Sequence, residues 1–239
     1  MAEMTIGILE TGPVMEPLLS RHGSYPQMME RLLSGHGFRF RNWRVLDGEF
    51  PDAVDDADGW LITGSRHGAY DSLPWIATLE TFLREAFAAH VPIVGICFGH
   101  QILAQALGGT VVKFDGGWSL GRQEYHIKGF DRPLEVIGFH QDQVIEAPEG
   151  AEIVGSSEFC RIAALAYGDR AWTLQPHPEF GSDFVADLFE QRRELLPRDL
   201  VEEALKTLDG AYDDQTVAEK MAAVFRTGLR AAPAGVATA

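Results

Sequence analysis

Cysteine is nearly absent: Cys97 and Cys160 are the two thiols among 239 residues. Two are too few for a disulfide framework and suit a reducing compartment. No apolar run approaches the roughly 20 residues that a membrane-spanning helix needs. The opening Met1-Ala-Glu-Met-Thr-Ile6 lacks the basic and apolar regions of a secretory signal, so a cytoplasmic location is expected. Basic residues are scarce as well, 20 Lys and Arg against 35 Asp and Glu, for a net charge of −15. That balance repels phosphate backbones and anionic lipid, which argues against nucleic acid or membrane as a partner. There is no Gly-x-x-x-x-Gly-Lys loop for ATP, no His-Glu-x-x-His and no paired cysteines, and the eight histidines are scattered. Neither a metal nor another cofactor is therefore expected.

Hydrophobic residues make up 46% of the chain, enough to bury a large core. Strand-like and helix-like segments alternate. Thr5 to Leu9 reads as a strand, Tyr25 to Leu33 as a helix and Phe38 to Val45 as a second strand. Trp60-Leu-Ile-Thr-Gly64 reads as a short third strand entering a glycine turn. Apolar positions at Trp75, Ile76, Leu79, Phe82, Leu83 and Phe87 predict a helix over 75–89. A strand from Val91 follows, then a helix to Leu107 ended by Gly108-Gly109. This order predicts an α/β fold with a mostly parallel central sheet flanked by helices. From Thr110 to Thr173 the chain turns β-rich, with shorter strands and Gly and Pro turns; residues 183–230 read as helical. The tail from Ala231 to Ala239 is small-residue sequence expected to be disordered.

The most informative segment is Pro92-Ile-Val-Gly-Ile-Cys97-Phe-Gly-His-Gln101. An apolar strand ends in Gly-Ile-Cys-Phe-Gly and a helix begins at once. Glycines two residues either side of Cys97 let strand and helix crowd together while the central residue takes a strained backbone. This is the cysteine counterpart of the Gly-x-Ser-x-Gly nucleophile elbow. A thiol at such an apex meets a helix N-terminus, where the dipole favours thiolate and the next amide, that of Phe98, can hold an oxyanion. The competing reading is an ordinary buried core cysteine.

A nucleophilic thiol needs a base, and the base needs a group to orient it. Leu174-Gln-Pro-His177-Pro-Glu179-Phe180 supplies both. The two prolines exclude helix and favour extended backbone, in which His177 and Glu179 project to the same side. The Glu carboxylate can then hold the far nitrogen of the imidazole, as the acid does in a Ser-His-Asp triad. A strand-end His beside a solvated Glu would look the same in sequence. Gln101, one turn past Cys97 on the same helix face, lies near enough to hydrogen-bond a bound amino acid. Cys160 has no elbow and no nearby base, and reads as a buried structural thiol; His100 is assigned to packing.

Together, Gly95-Ile-Cys-Phe-Gly-His-Gln101, Pro176-His-Pro-Glu179 and Leu61-Ile-Thr-Gly-Ser65 resemble the class I (triad) glutamine amidotransferases, over a span from Thr5 to about Asp187. The resemblance implies a flavodoxin-like amidotransferase domain over 1–187 and a helical extension with its tail over 188–239. It implies that Cys97 attacks the side-chain amide of glutamine, His177 relays protons and Glu179 orients it. A γ-glutamyl thioester forms, ammonia leaves and water releases glutamate. It further implies Gly64 as the second oxyanion donor beside Phe98, and Gln101, Trp118, Ser119, His140 and Gln141 as substrate-facing residues. The stretch after Glu179 is short for a synthase domain. One reading is therefore a glutaminase subunit passing ammonia to a separate synthase subunit. Thr63-Gly-Ser-Arg-His-Gly-Ala-Tyr70, Leu73-Pro-Trp-Ile76 and His140-Gln-Asp-Gln-Val144 resemble the stand-alone subgroup that includes γ-glutamyl peptidases. A second reading is thus a γ-glutamyl peptide or conjugate hydrolase, and a third is a silent binding protein on the same fold. Oligomeric state is not legible.

Overall fold

The computed structural model describes residues 3–231; of the tail expected to be disordered, 231–239, Ala231 ends a helix and 232–239 lie outside the described residues. Strands β1 (Met4–Leu9), β2 (Phe38–Trp43), β3 (Gly59–Ile62), β4 (Ile93–Ile96) and β11 (Ala171–Leu174) pair in parallel, in the order β2-β1-β3-β4-β11. Strands β10 (Ala164–Tyr167), β9 (Glu152–Ser156), β6 (Ser119–Ile127) and β7 (Leu134–His140) extend that sheet antiparallel to nine strands. β5 (Thr110–Lys113) and β8 (Asp142–Glu146) form a separate antiparallel pair. The expected α/β sheet is present: β1 to β4 come first, the β-rich stretch follows, and β11 returns to the parallel half.

Residues of β3, β4 and β11 are buried throughout, which is why they read as continuous apolar runs. The pleat sends alternate residues to opposite faces. Leu9, Trp60, Ile62 and Ile93 pack under helices α3 (Pro74–Ala88) and α4 (Phe98–Ala106). Ile6, Ile8, Leu61, Val94 and Ile96 meet α2 (Tyr25–Leu32) and α7 (Asp214–Ala231) through Met29, Val217, Met221 and Phe225. A third cluster joins α1 (Leu18–His22) and α5 (Ser182–Gln191) to Leu120 and Ile137, and Ala204 of α6 (Arg198–Lys206) belongs to it. The C-terminal helices therefore cover the sheet. The short α1 lies between the first predicted strand and the first predicted helix and had no sequence signal.

Candidate active site

The chain bends most sharply at Cys97, whose φ of +53° and ψ of −102° are unfavourable for any residue with a Cβ. Close packing holds it there. A Cβ on Gly95 would sit 2.4 Å from the Gly99 carbonyl oxygen, and one on Gly99 would sit 2.6 Å from that of Ile62. Only glycine lets β4, α4 and β3 approach this closely. Cys97 thus ends β4, opens α4 and is 7% exposed.

His177 follows β11, the parallel neighbour of β4. Its N–H donates to the Ile137 carbonyl at 2.8 Å, so β7 fixes the backbone that carries the ring. The ring stacks on Phe180 with centroids 4.1 Å apart and planes at 4°. Nδ1 lies 2.8 Å from Glu179 Oε1, in a pair whose side chains are 5% and 1% exposed. Burial opposes a charge on this imidazole, but Glu179 and then Cys97 outweigh it and push its pKa up to about 10. The ring is therefore an imidazolium at neutral pH, with Nδ1–H donated to the carboxylate.

Gly64 completes the cluster. A Cβ there would lie 3.0 Å from His177 Cε1 and 3.8 Å from Cys97 Cβ, so the thiol, the ring and this glycine share one small space. Thr11 Oγ1 lies 2.9 Å from the Thr63 oxygen and 3.0 Å from the Gly64 oxygen, anchoring the turn. Neither the Gly64 nor the Phe98 N–H has an acceptor among the described residues. A thiol, an imidazolium held by a carboxylate and two free amides have the makings of acyl transfer.

Cys97, Gly64 and His177 border a cleft of about 330 Å³ that also takes in Gln101, Trp118, His140 and Gln141. Gln101 Nε2 donates to the Asp142 carbonyl at 2.9 Å and to Gln175 Oε1 at 3.2 Å, which leaves its oxygen as the group for a ligand. Gln141 Nε2 donates to the Phe114 carbonyl at 3.2 Å. Both ring nitrogens of His140 are buried without a partner, and burial, then His177, holds its pKa down to about 3. The Ser119 side chain is not brought to the cleft. It is buried, with Oγ 2.5 Å from where a Cβ on Gly138 would lie, because it faces inward on β6. His100 serves packing, as expected. Nε2 donates to the Ile162 oxygen at 3.1 Å, so Nδ1 accepts from Thr173 Oγ1 at 2.8 Å, and burial holds its pKa at about 4. Burial pushes the Cys160 thiol up to about 12.

Sequence reasoning did not find the outer wall of the cleft, made by Tyr25, Phe180, Leu188 and Arg192. It also missed Tyr70, whose hydroxyl donates to Asp142 Oδ2 at 3.0 Å between two lining residues. Phe180, adjoining Glu179, had an aromatic signal; Tyr25 and Arg192 lie far away in the chain and had none. Among the described residues no helix is long and apolar enough to cross a membrane. No group of three or more His, Cys, Asp or Glu side chains among them could hold a metal ion.

The chain is similar to known proteins in sequence and in fold. A glutamine amidotransferase from Thermotoga maritima superposes with a TM-score of 0.76 at 20% identity, covering 97% of this chain and all of its own. γ-Glutamyl peptidase 3 of Arabidopsis thaliana is 28% identical over 224 residues, 87% of this chain and 90% of that protein. One of the subunits of the glutamine-hydrolysing GMP synthase of Archaeoglobus fulgidus is 29% identical over 181 residues, 72% of this chain and 93% of that protein. Residues 40–187 match the family described as glutamine amidotransferase class-I. With the elbow, the His-Pro-Glu segment and the sheet all inside or adjoining that match, the chain belongs to the class-I glutamine amidotransferase family.

Proposed function

We propose that this chain hydrolyses γ-glutamyl amides through a γ-glutamyl thioester on Cys97. The observation that carries the reading is the buried His177–Glu179 pair packed beside a strained thiol at a helix N-terminus. The Cys97 sulfur attacks the γ-carbonyl carbon as thiolate, the form an imidazolium neighbour favours. The carbonyl oxygen gains negative charge and takes hydrogen bonds from the Gly64 and Phe98 amides. His177 gives its proton to the departing nitrogen as the C–N bond breaks, leaving the acyl group on sulfur. Water then loses a proton to the neutral imidazole and attacks the thioester; glutamate leaves and the ion pair is restored. Glu179 holds the ring and stabilises its charge throughout. On the substrate, the free Gln101 oxygen suits the α-ammonium group, with Trp118, His140 and Gln141 around the glutamyl chain.

The same chemistry serves two leaving groups. A cleft of about 330 Å³ falls in the range of roughly 300–1,000 Å³ of small-ligand sites. The likeness to γ-glutamyl peptidase 3 favours a γ-glutamyl peptide. The likeness to a GMP synthase component supports the other reading, in which glutamine is cleaved and ammonia passes to a separate synthase subunit. Purified protein is expected to release glutamate from glutamine or from γ-glutamyl peptides, and Cys97→Ala to abolish release. Equal release by wild type and variant sinks the thioester reading and leaves the silent binding protein. Release from glutamine that appears only with a synthase present rejects the peptidase reading.

A further inference from the structure

The proton route sets the direction in which the leaving group departs. In the hydrolysis proposed above, the departing nitrogen takes its proton from His177, so whatever is attached to that nitrogen extends along the wall that adjoins His177. That wall is a run of rings. The imidazole stacks on Phe180 at 4.1 Å, and Phe180 stacks on Tyr25 at 5.8 Å with planes at 28°. Arg192 lines the same cleft as Tyr25, and its positive charge acts on the phenol. All four residues line the cleft.

Both outer residues are held in place. Tyr25 opens α2, and a reciprocal cap fixes that end: the Ser24 N–H donates to Gln27 Oε1 at 2.8 Å and the Gln27 N–H to Ser24 Oγ at 3.4 Å. Arg192 caps the C-terminus of α5, its N–H donating to the Leu188 oxygen at 2.9 Å, where a cation is favoured. Arg192 has no ion-pair partner among the described residues, whereas the adjacent Arg193 pairs with Glu190 at 2.9 Å. In a chain with 35 acidic residues, an unpaired guanidinium in a cleft wall is free for an anion brought by the ligand. Tyr25 and Arg192 both lie outside the matched segment 40–187.

We infer that Arg192 is a specificity-determining residue that binds the free C-terminal carboxylate of a short γ-glutamyl peptide, with Tyr25 flanking it. The substrate class is a γ-glutamyl di- or tripeptide ending in a carboxylate. This inference rests on the γ-glutamyl hydrolase reading above. A guanidinium meets a carboxylate in two parallel hydrogen bonds, a geometry that lysine does not reproduce. The carboxylate carries the same charge in the bound ground state and in the transition state, so the contact binds both alike and acts on KM more than on kcat.

The test compares γ-glutamyl peptides with their C-terminal amides, which differ only in that charge. Wild type is expected to favour the acid in kcat/KM by roughly 10- to 100-fold, the size of one charge-assisted hydrogen bond. Arg192→Gln should erase the preference by raising KM for the acid, with kcat and amide turnover little changed. Arg192→Lys should recover part of it, and the preference should survive Arg193→Gln and also Arg66→Gln, Arg66 being the other arginine that lines the cleft. An absent preference in wild type, a preference that survives Arg192→Gln, or one lost through Arg66→Gln instead overturns the inference while leaving hydrolysis standing. No glutamate from any substrate, in wild type as in Cys97→Ala, overturns both.

Discussion

The imidazole of His177 carries its charge because two neighbours pull the same way. Burial alone would strip its proton, yet Glu179 and Cys97 hold the ring protonated up to about 10. An enzyme that needs this proton for the departing amine should lose kcat/KM on an alkaline limb near that value. Glu179→Gln removes the larger attraction, so the limb should move to lower pH and kcat fall by about 10²–10⁴. The loss should be milder than that of His177→Ala, since Glu179 orients and does not transfer. A pH–rate profile whose limb stays in place would show that Glu179 does not set the charge. At this scale the sequence was informative where chemistry is local. Cys97 is flagged by two glycines at fixed offsets, and His177 and Glu179 by two prolines that force an extended segment. Ser119 was misplaced because its neighbours in sequence do not reveal which face of β6 it occupies. Tyr25 and Arg192 reach the cleft from opposite ends of the chain, and no local pattern records that meeting.

At the scale of elements, the elbow depends on strand and helix lying closer than any side chain permits. The obstacle to a Cβ on Gly95 is backbone, the Gly99 oxygen at 2.4 Å, which cannot swing aside as a flexible side chain would. Gly95→Ala is therefore expected to destabilise the fold by about 1–3 kcal/mol, and to displace the thiol so that activity falls further than stability does. Urea unfolding read beside kcat/KM checks both. An unchanged midpoint with full activity would mean that the crowding is slack. The parallel elements were legible because buried strands read as apolar runs and α3 repeats at helical spacing. Predicted and observed bounds there differ by a residue or two, as at 75–89 against Pro74–Ala88. The β-rich half was legible only in kind. Its strands run from four to nine residues and mix buried with partly exposed positions, so pairing order depends on contacts remote in sequence.

For the whole molecule, three buried histidines tie stability to pH with opposite signs. His100 and His140 are held at about 4 and about 3, below the roughly 6.5 of an unfolded histidine. The unfolded chain binds their protons first, so this contribution is present above about 6.5 and is lost as pH falls towards 4 and 3. His177, raised to about 10, contributes fully below about 6.5 and loses that contribution as pH climbs towards its folded value. Urea midpoints across pH should therefore decline on both sides of neutrality. His140→Phe should flatten the acid side, and Glu179→Gln the alkaline side. Variant curves parallel to wild type would contradict the assignment of the slopes to these rings.

The bond from the His177 amide to Ile137 spans the two ends of the antiparallel half. β7 is one of the two outer strands of the nine, β2 being the other, and a bare outer strand invites another chain to pair with it. The segment that carries the reactive ring thus helps to close that rim, together with Asp213, whose N–H donates to the Glu135 oxygen at 2.9 Å and whose carboxylate accepts from the Glu135 N–H at 2.8 Å. Loosening of residues 175–179 would disarm the ring and unpair Ile137 in the same motion.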